Sequence, residues 1–202
     1  MHINVEELTG TEAYHLLTQT VIPRPVAWIL TENEESDYNL APFSFFTAIS
    51  SRPPLIMFSV GSKPSGDIKD TRRNILRTKS FVVHIAPSTL AEEMTETART
   101  LEYGESELER VNLTTNNDWQ QILPRLSECD IALFCELYDY QEIGENKQGL
   151  VFGEIKQAFL SDKVATKGER LVIDATQVDP ISRLGGNDYA ALGKTITIQR
   201  PS

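Results

Sequence analysis

Little in this chain serves for cross-linking, capturing a metal or crossing a membrane. Its 202 residues include two cysteines, Cys129 and Cys135, and three histidines, His2, His15 and His84. Two cysteines outside C-x-x-C spacing make no disulfide framework, so both are expected to stay reduced, with Cys135 a small core residue in the apolar run 131–137. The histidines fit no ligand spacing, and no metal is expected. The opening "MHINVEEL" has neither a basic nor an apolar leader region, and no later run approaches membrane-spanning length; these features read as a soluble, cytoplasmic protein. Positive charge is scarce too. A formal net charge of −10 argues against a nucleic-acid partner, which needs a basic footprint.

The common nucleotide signatures are also missing. No G-x-G-x-x-G turn occurs, which argues against a Rossmann dinucleotide site. Gly61 and Gly66 have the glycine spacing of a P-loop, but Asp67 and Ile68 stand where its Lys and Ser/Thr belong. Repeats and low-complexity segments are absent as well. What remains is 40% hydrophobic content in a length that suits one globular domain, residues 1–202.

The most informative stretch runs from Asn39 to Lys79. Leu55 to Val60 reads as a buried strand, followed by a loop with Pro64 and Gly66 and then a helix capped by Asp67 or Asp70, with Ile68, Ile75 and Leu76 on its apolar face. Residues 61–79 hold Lys63, Lys69, Arg72, Arg73, Arg77 and Lys79 against two aspartates, a net charge of +4 in an acidic chain. A helix start with such a cluster is either an anion site or an exposed basic face. Just upstream, Ser44, Thr47 and Ser50 alternate with Phe43, Phe45 and Phe46, so hydroxyls are interleaved with flat apolar rings that either flank a ligand or fill the core.

The remaining chain reads as short strands with few helices. A short helix is expected within residues 4–19. Pro23 and Pro25 keep the next segment extended up to a strand at Val26 to Leu30. An acidic hairpin tip follows at Glu32, Glu34, Glu35 and Asp37. In "FVVHIA", Phe81, Val83 and Ile85 share one face and Val82 and His84 the other, so His84 either lines a pocket or is a satisfied structural histidine. Thr89 and Glu92 have capping-box spacing ahead of Leu90, Met94, Ala98 and Leu101. Residues 88–110 carry a net −5 and read as an exposed acidic face. Residues 111–128 form a long connection anchored by Trp119 and Ile122. A long antiparallel hairpin is expected from 130–140 and 150–160, with Gly153 marking a bulge or the close approach of another chain. The alternating "TITIQRP" reads as a closing edge strand. This pattern, without regular β-α alternation, favours a Greek-key barrel.

Five segments, "PRPVAWI", "NLAPFSFFTAISSRPPLIMFSV", "KDTRRNI", "FVVHI" and "SRLGGNDYAALG", occur in register between about Val21 and Gly193. Together they resemble the flavin reductase-like family of FMN-binding split barrels, which includes flavoredoxin. The resemblance implies a mainly β fold, a six-stranded antiparallel Greek-key split β-barrel with accessory α-helices, assembled as a homodimer. It implies FMN as cofactor, with the phosphate at Lys69, Thr71 and Asn74 beside Asp70 and with Ser59 nearby. The ring and ribityl chain fall to Ser44, Phe46 and Thr47, Arg24 lies near the flavin, and the loop carrying Arg183 and Tyr189 approaches the ring. His84 is the one catalytic candidate. The activity implied is NAD(P)H:flavin oxidoreduction toward a second acceptor, with a monooxygenase or electron-transfer protein as possible partner. The alternatives are a flavoredoxin-like carrier reduced by a protein, and a non-redox FMN-binding barrel.

Overall fold

A computed structural model describes residues 1–35, 37–199 and 201. In chain order the elements are α1 (Gly10–Thr20), β1 (Arg24–Pro25), β2 (Ala27–Glu32), β3 (Tyr38–Phe43), β4 (Phe46–Ser51), β5 (Pro54–Val60), α2 (Asp70–Thr78), β6 (Ser80–His84) and α3 (Ala91–Glu96). Then come β7 (Thr115–Asn116), β8 (Arg125–Leu126), β9 (Ile131–Ile143), β10 (Gln148–Leu160), β11 (Ala165–Lys167), β12 (Leu171–Ile173), α4 (Ala175–Val178), β13 (Ser182–Arg183) and β14 (Tyr189–Ala190).

Seven strands form the main sheet, in the order β3-β2-β6-β9-β10-β5-β4. Its two edges, β3 and β4, are consecutive in the chain and only Ser44 and Phe45 separate them. A sheet whose edges are joined by two residues has to curl until those edges meet. The result is a barrel, with its seam at the Ser44–Phe45 corner. Every pairing in this sheet is antiparallel.

Alternation along the strands then builds two cores. Ala27, Ile29, Phe58, Val60, Phe81, Val83 and Val151 fill the barrel. Trp28, Leu30, Leu40, Val82 and Phe134 point outward and are covered by Met94, Trp119, Leu123 and Leu126. Both faces of β2 and β6 are therefore buried, which is why "VAWIL" and "FVVH" are continuous apolar runs with one histidine. Gly153 sits at a register shift between β9 and β10. A Cβ there would lie 2.4 Å from the Phe81 ring, so the crowding comes from this chain's own core.

Several local expectations are corrected. Thr89 and Glu92 make no capping box, because α3 begins at Ala91 with Leu90 as an N-cap lacking a side-chain hydrogen bond. The capping box present is Thr9 with Glu12, ahead of α1. Neither Asp67 nor Asp70 caps α2: Lys69 is the N-cap and Asp70 the first helical residue. Ile122 is 71% exposed and anchors nothing, whereas Trp119 is buried with its Nε1 donating to Leu123 O at 2.9 Å. Residues 191–199 form no strand, and Ile196 and Ile198 are exposed. Ser36, in the acidic tip, and Arg200, in "TITIQRP", lie outside the described residues. Both cysteines are buried and free, and burial raises the pKa of each thiol. Among the described residues no helix is long and apolar enough to cross a membrane.

Candidate functional site

The basic cluster of residues 61–79 does not act as one patch, because the fold gives most of its charges partners. Lys63 Nζ lies 3.0 Å from Asp70 Oδ1 and donates to Leu101 O at 3.1 Å. Arg72 pairs with Glu142, Arg77 donates to Glu32 O, and Arg73 stacks on the Tyr103 ring at 4.4 Å. Lys69 differs. It is half-buried, and its ammonium sits 5.5 Å from the Phe43 ring centroid with no hydrogen-bond or ion-pair partner among the described residues. Burial lowers its pKa from the ordinary lysine value, a sign that the ammonium is partly desolvated with no counter-charge to offset the cost. Being the N-cap, it leaves the start of α2 without a side-chain acceptor. First-turn amides and an unpaired cation thus face one small pocket, lined also by Pro42, Asp70, Thr71 and Arg99.

Behind that pocket lies a buried polar network that the sequence reading missed. Glu107, assigned to an exposed acidic face, is only 5% exposed. Its carboxylate accepts from Asn39 Nδ2 at 2.9 and 2.8 Å and from Leu40 N at 2.9 Å. Burial outweighs these bonds and raises its pKa to about 7. Asn39 Oδ1 in turn accepts the Thr71 hydroxyl at 2.7 Å, so that hydroxyl's proton is already engaged and Thr71 faces the pocket with its backbone N–H still to offer. Asn74 is fully buried. Its Nδ2 donates to Asn33 Oδ1 at 2.8 Å and Thr31 Oγ1 at 3.1 Å, and it is not among the residues lining the α2 pocket. No sequence motif marks this network, since its members are brought together by β3, α2 and the 3-10 turn Glu107–Arg110.

Around the seam, Arg24 is 6% exposed and works as a clamp. Its guanidinium donates to Thr18 O at 2.5 Å and Val21 O at 2.8 Å at the end of α1, to Leu184 O at 2.8 Å, and through Nε to Ser44 Oγ at 3.4 Å. A cation on helix C-terminal carbonyls is favourably placed, but it has little left to give a ligand. Arg24 also pairs in register with Arg183 through β1 and β13. The loop beyond needs both its glycines: a Cβ on Gly185 would lie 2.5 Å from Gln19 Cγ, and Gly186 has φ +60°. Arg183 stacks on Tyr189 at 4.4 Å.

The expected site residues fall into three adjoining openings. Lys69, Asp70 and Thr71 line the α2 pocket. Ser44, Arg183 and Tyr189 line a pocket of about 180 Å³ that shares Pro42 and Ala98 with it. Arg24, Ser44, Phe46, Thr47 and Ser59 line an open cleft of about 520 Å³, walled by Leu17, Val21, Met57 and Leu150. Ser44 belongs to both of the last two. Ser59 is therefore apart from Lys69, and it accepts from Gln148 Nε2 at 2.7 Å. His84 lines none of them. Fully buried, it donates from Nδ1 to Trp28 O at 3.1 Å and accepts Leu126 N–H on Nε2 at 2.9 Å, and burial lowers its pKa to about 4. That corrects its candidacy as a catalytic group: it is a neutral structural histidine. No cluster of potential metal ligands occurs among the described residues.

The model of the family described as flavin reductase like domain matches residues 19–181. The chain is 37% identical over 202 residues to the Bacillus subtilis protein YwrF, covering 98% of this chain and 97% of that one. The crystal structure of nitrilotriacetate monooxygenase component B from Bacillus cereus superposes with a TM-score of 0.89 at 35% identity, covering 98% of each chain. That of Pseudomonas fluorescens 2-nitrobenzoate 2-nitroreductase NbaA gives 0.87 at 30% identity, covering all of this chain and 96% of the other.

Proposed function

The chain belongs to the flavin reductase-like family, and from that premise we propose that it is an FMN-binding oxidoreductase that takes reducing equivalents from NAD(P)H and passes them to a second acceptor. One observation carries the reading: the unpaired, half-buried ammonium of Lys69 at the uncapped start of α2. A phosphate dianion supplies the acceptors and negative charge that this corner lacks. Asp70 does not oppose it strongly, because Lys63 already neutralises it. Glu107, with a pKa near 7, is about half protonated at neutral pH.

From that anchor the groove runs past Pro42 to Ser44, where Tyr189 and Arg183 offer a flat ring and a positive charge. FMN, when bound, supplies hydride acceptance from NAD(P)H and electron delivery to the acceptor. The protein's part is to bind, orient and exclude water. Lys69 and the α2 amides hold the phosphate end, and Arg24 fixes Ser44 and the Leu184 loop relative to α1. Arg24 and Arg183 add positive charge that favours an anionic ligand at the seam.

The cleft beside Ser44 supports a second reading of the acceptor. Its apolar walls suit a small aromatic compound reduced directly, in line with the nitroreductase named among the similar structures, whereas the monooxygenase component points to a protein partner. Exposed Leu17, Val21, Ile22, Phe45 and Ile143 around the same cleft support a homodimer, working in the cytoplasm. The deciding experiment is anaerobic stopped-flow absorbance of the FMN-loaded protein mixed with NADH and with NADPH. Rapid bleaching of the flavin band is the expected result. A bound flavin that neither nucleotide reduces would instead assign the carrier role, and a protein that takes up no flavin would end the proposal.

A further inference from the structure

The pocket at the start of α2 continues beyond the position argued for the phosphate. Past the Lys63–Asp70 ion pair it opens into a second cavity of about 320 Å³, and the two share Lys63, Asp70, Thr100 and Leu101. Arg73 and Tyr103 stand only in the second. Arg73 lies four residues after Lys69, one turn along the same face of α2. One helix thus gives each cavity its own cation. The Arg73 guanidinium lies 4.4 Å from the Tyr103 ring centroid, and its Nε is buried without a hydrogen-bond partner among the described residues. A buried donor left unpaired is destabilising until an acceptor meets it. Tyr103 remains 39% exposed, so part of its ring is open to a flat partner. Of the carboxylates here, Asp70 is paired with Lys63, Asp67 accepts from Ser65 Oγ at 2.9 Å, and Glu102 and Glu34, the latter meeting the Tyr103 hydroxyl, are exposed to water.

We propose that this second cavity is a subsite for an adenosine 5′-phosphate unit, with Arg73 meeting the phosphate and Tyr103 stacking on the base. The inference rests on the flavin reading, since it extends the same groove. An aromatic ring beside a guanidinium suits a base joined to an anion. Two ligands bring that unit here: FAD, whose adenylate is joined to the phosphate of its FMN half, and a free adenine nucleotide lying beside FMN.

Fluorescence titrations of the full-length chain with FMN and with FAD, together with calorimetric titration of AMP into the FMN-loaded protein, separate these sources. FAD is expected to bind at least as tightly as FMN, and Tyr103→Ala is expected to weaken FAD about five- to tenfold while leaving FMN within about twofold. Arg73→Gln, on a different element, should show the same selectivity and covers the case in which the tyrosine variant misfolds. If FAD binds more weakly than FMN but AMP binds the FMN-loaded protein and loses that binding in both variants, the subsite stands with the free nucleotide as its ligand. Weaker FAD with no AMP binding, or equal losses of FMN and FAD in the variants, overturns it. Failure of FMN itself to bind removes the flavin reading and this one together, a result distinct from FMN binding without FAD.

Discussion

At the scale of single residues, Lys69 and Lys63 show how context sorts identical side chains. Both line the α2 pocket, but only Lys69 lacks a partner among the described residues. Lys69→Ala should therefore raise the FMN dissociation constant roughly ten- to hundredfold, the loss expected for a hydrogen bond to a charged group. Thermal stability should stay within about 0.5 kcal/mol, since the ammonium gives up no hydrogen bond or ion pair among the described residues and its contact with the Phe43 ring is long, at 5.5 Å. Flavin fluorescence titration and thermal melting check the two halves. Glu107 and His84 set the pH dependence of stability in opposite directions. The folded pKa of His84, about 4, lies below its ordinary 6.5, so the unfolded chain binds the proton first and stability is lost as pH falls from about 6.5 to 4. The folded pKa of Glu107, about 7, lies above its ordinary 4.5, so the folded chain keeps its proton and stability is lost as pH rises from about 4.5 to 7. Between about 4.5 and 6.5 the two slopes offset each other. Glu107→Gln removes one of them. Urea unfolding should show the variant gaining about 3 kcal/mol relative to the parent between pH 4.5 and 7.5.

At the scale of elements, the β9–β10 hairpin and β6 are locked together by one missing side chain. Gly153→Ala would place a methyl 2.4 Å from the Phe81 ring, and Phe81 is fully buried against Phe58. Destabilisation of about 1 to 3 kcal/mol is expected from such overpacking, read as a lower urea midpoint at unchanged slope. The long strands and the α2 region were legible because each has an unmistakable local signal: sustained apolar alternation, or a glycine- and proline-bearing loop before a charged helix. Cap assignments were less so. Thr9–Glu12 and Thr89–Glu92 have the same spacing, and only the first forms the box, because the chain at Ser88–Leu90 is already turned as a 3-10 helix against Pro87. Capping motifs specify a start only where the preceding backbone is extended.

At the scale of the whole molecule, the proposed homodimer makes a prediction about mass. Equilibrium sedimentation should return twice the 22.7 kDa chain mass, and Phe45→Asp should yield a folded monomer. A stable parent monomer would count against that assembly. The sequence by itself determined the antiparallel β class, the hairpin, the buried strand at Leu55 to Val60 and the family, because these depend on periodicity and on motifs whose parts are neighbours in the chain. The tertiary structure alone decided which charges are free. Arg24, Arg72 and Arg77 read as available cations until the fold engages them with carbonyls and a carboxylate. Asn74 read as a phosphate ligand until Thr31 and Asn33 took its amide, and Glu107 read as part of an exposed face until Asn39 of β3 closed over it. His84 was undecided until Trp28 and Leu126 took both its nitrogens. Burial and pairing depend on elements far apart in sequence, and they set both the charge a side chain carries and the partners it has left for a ligand.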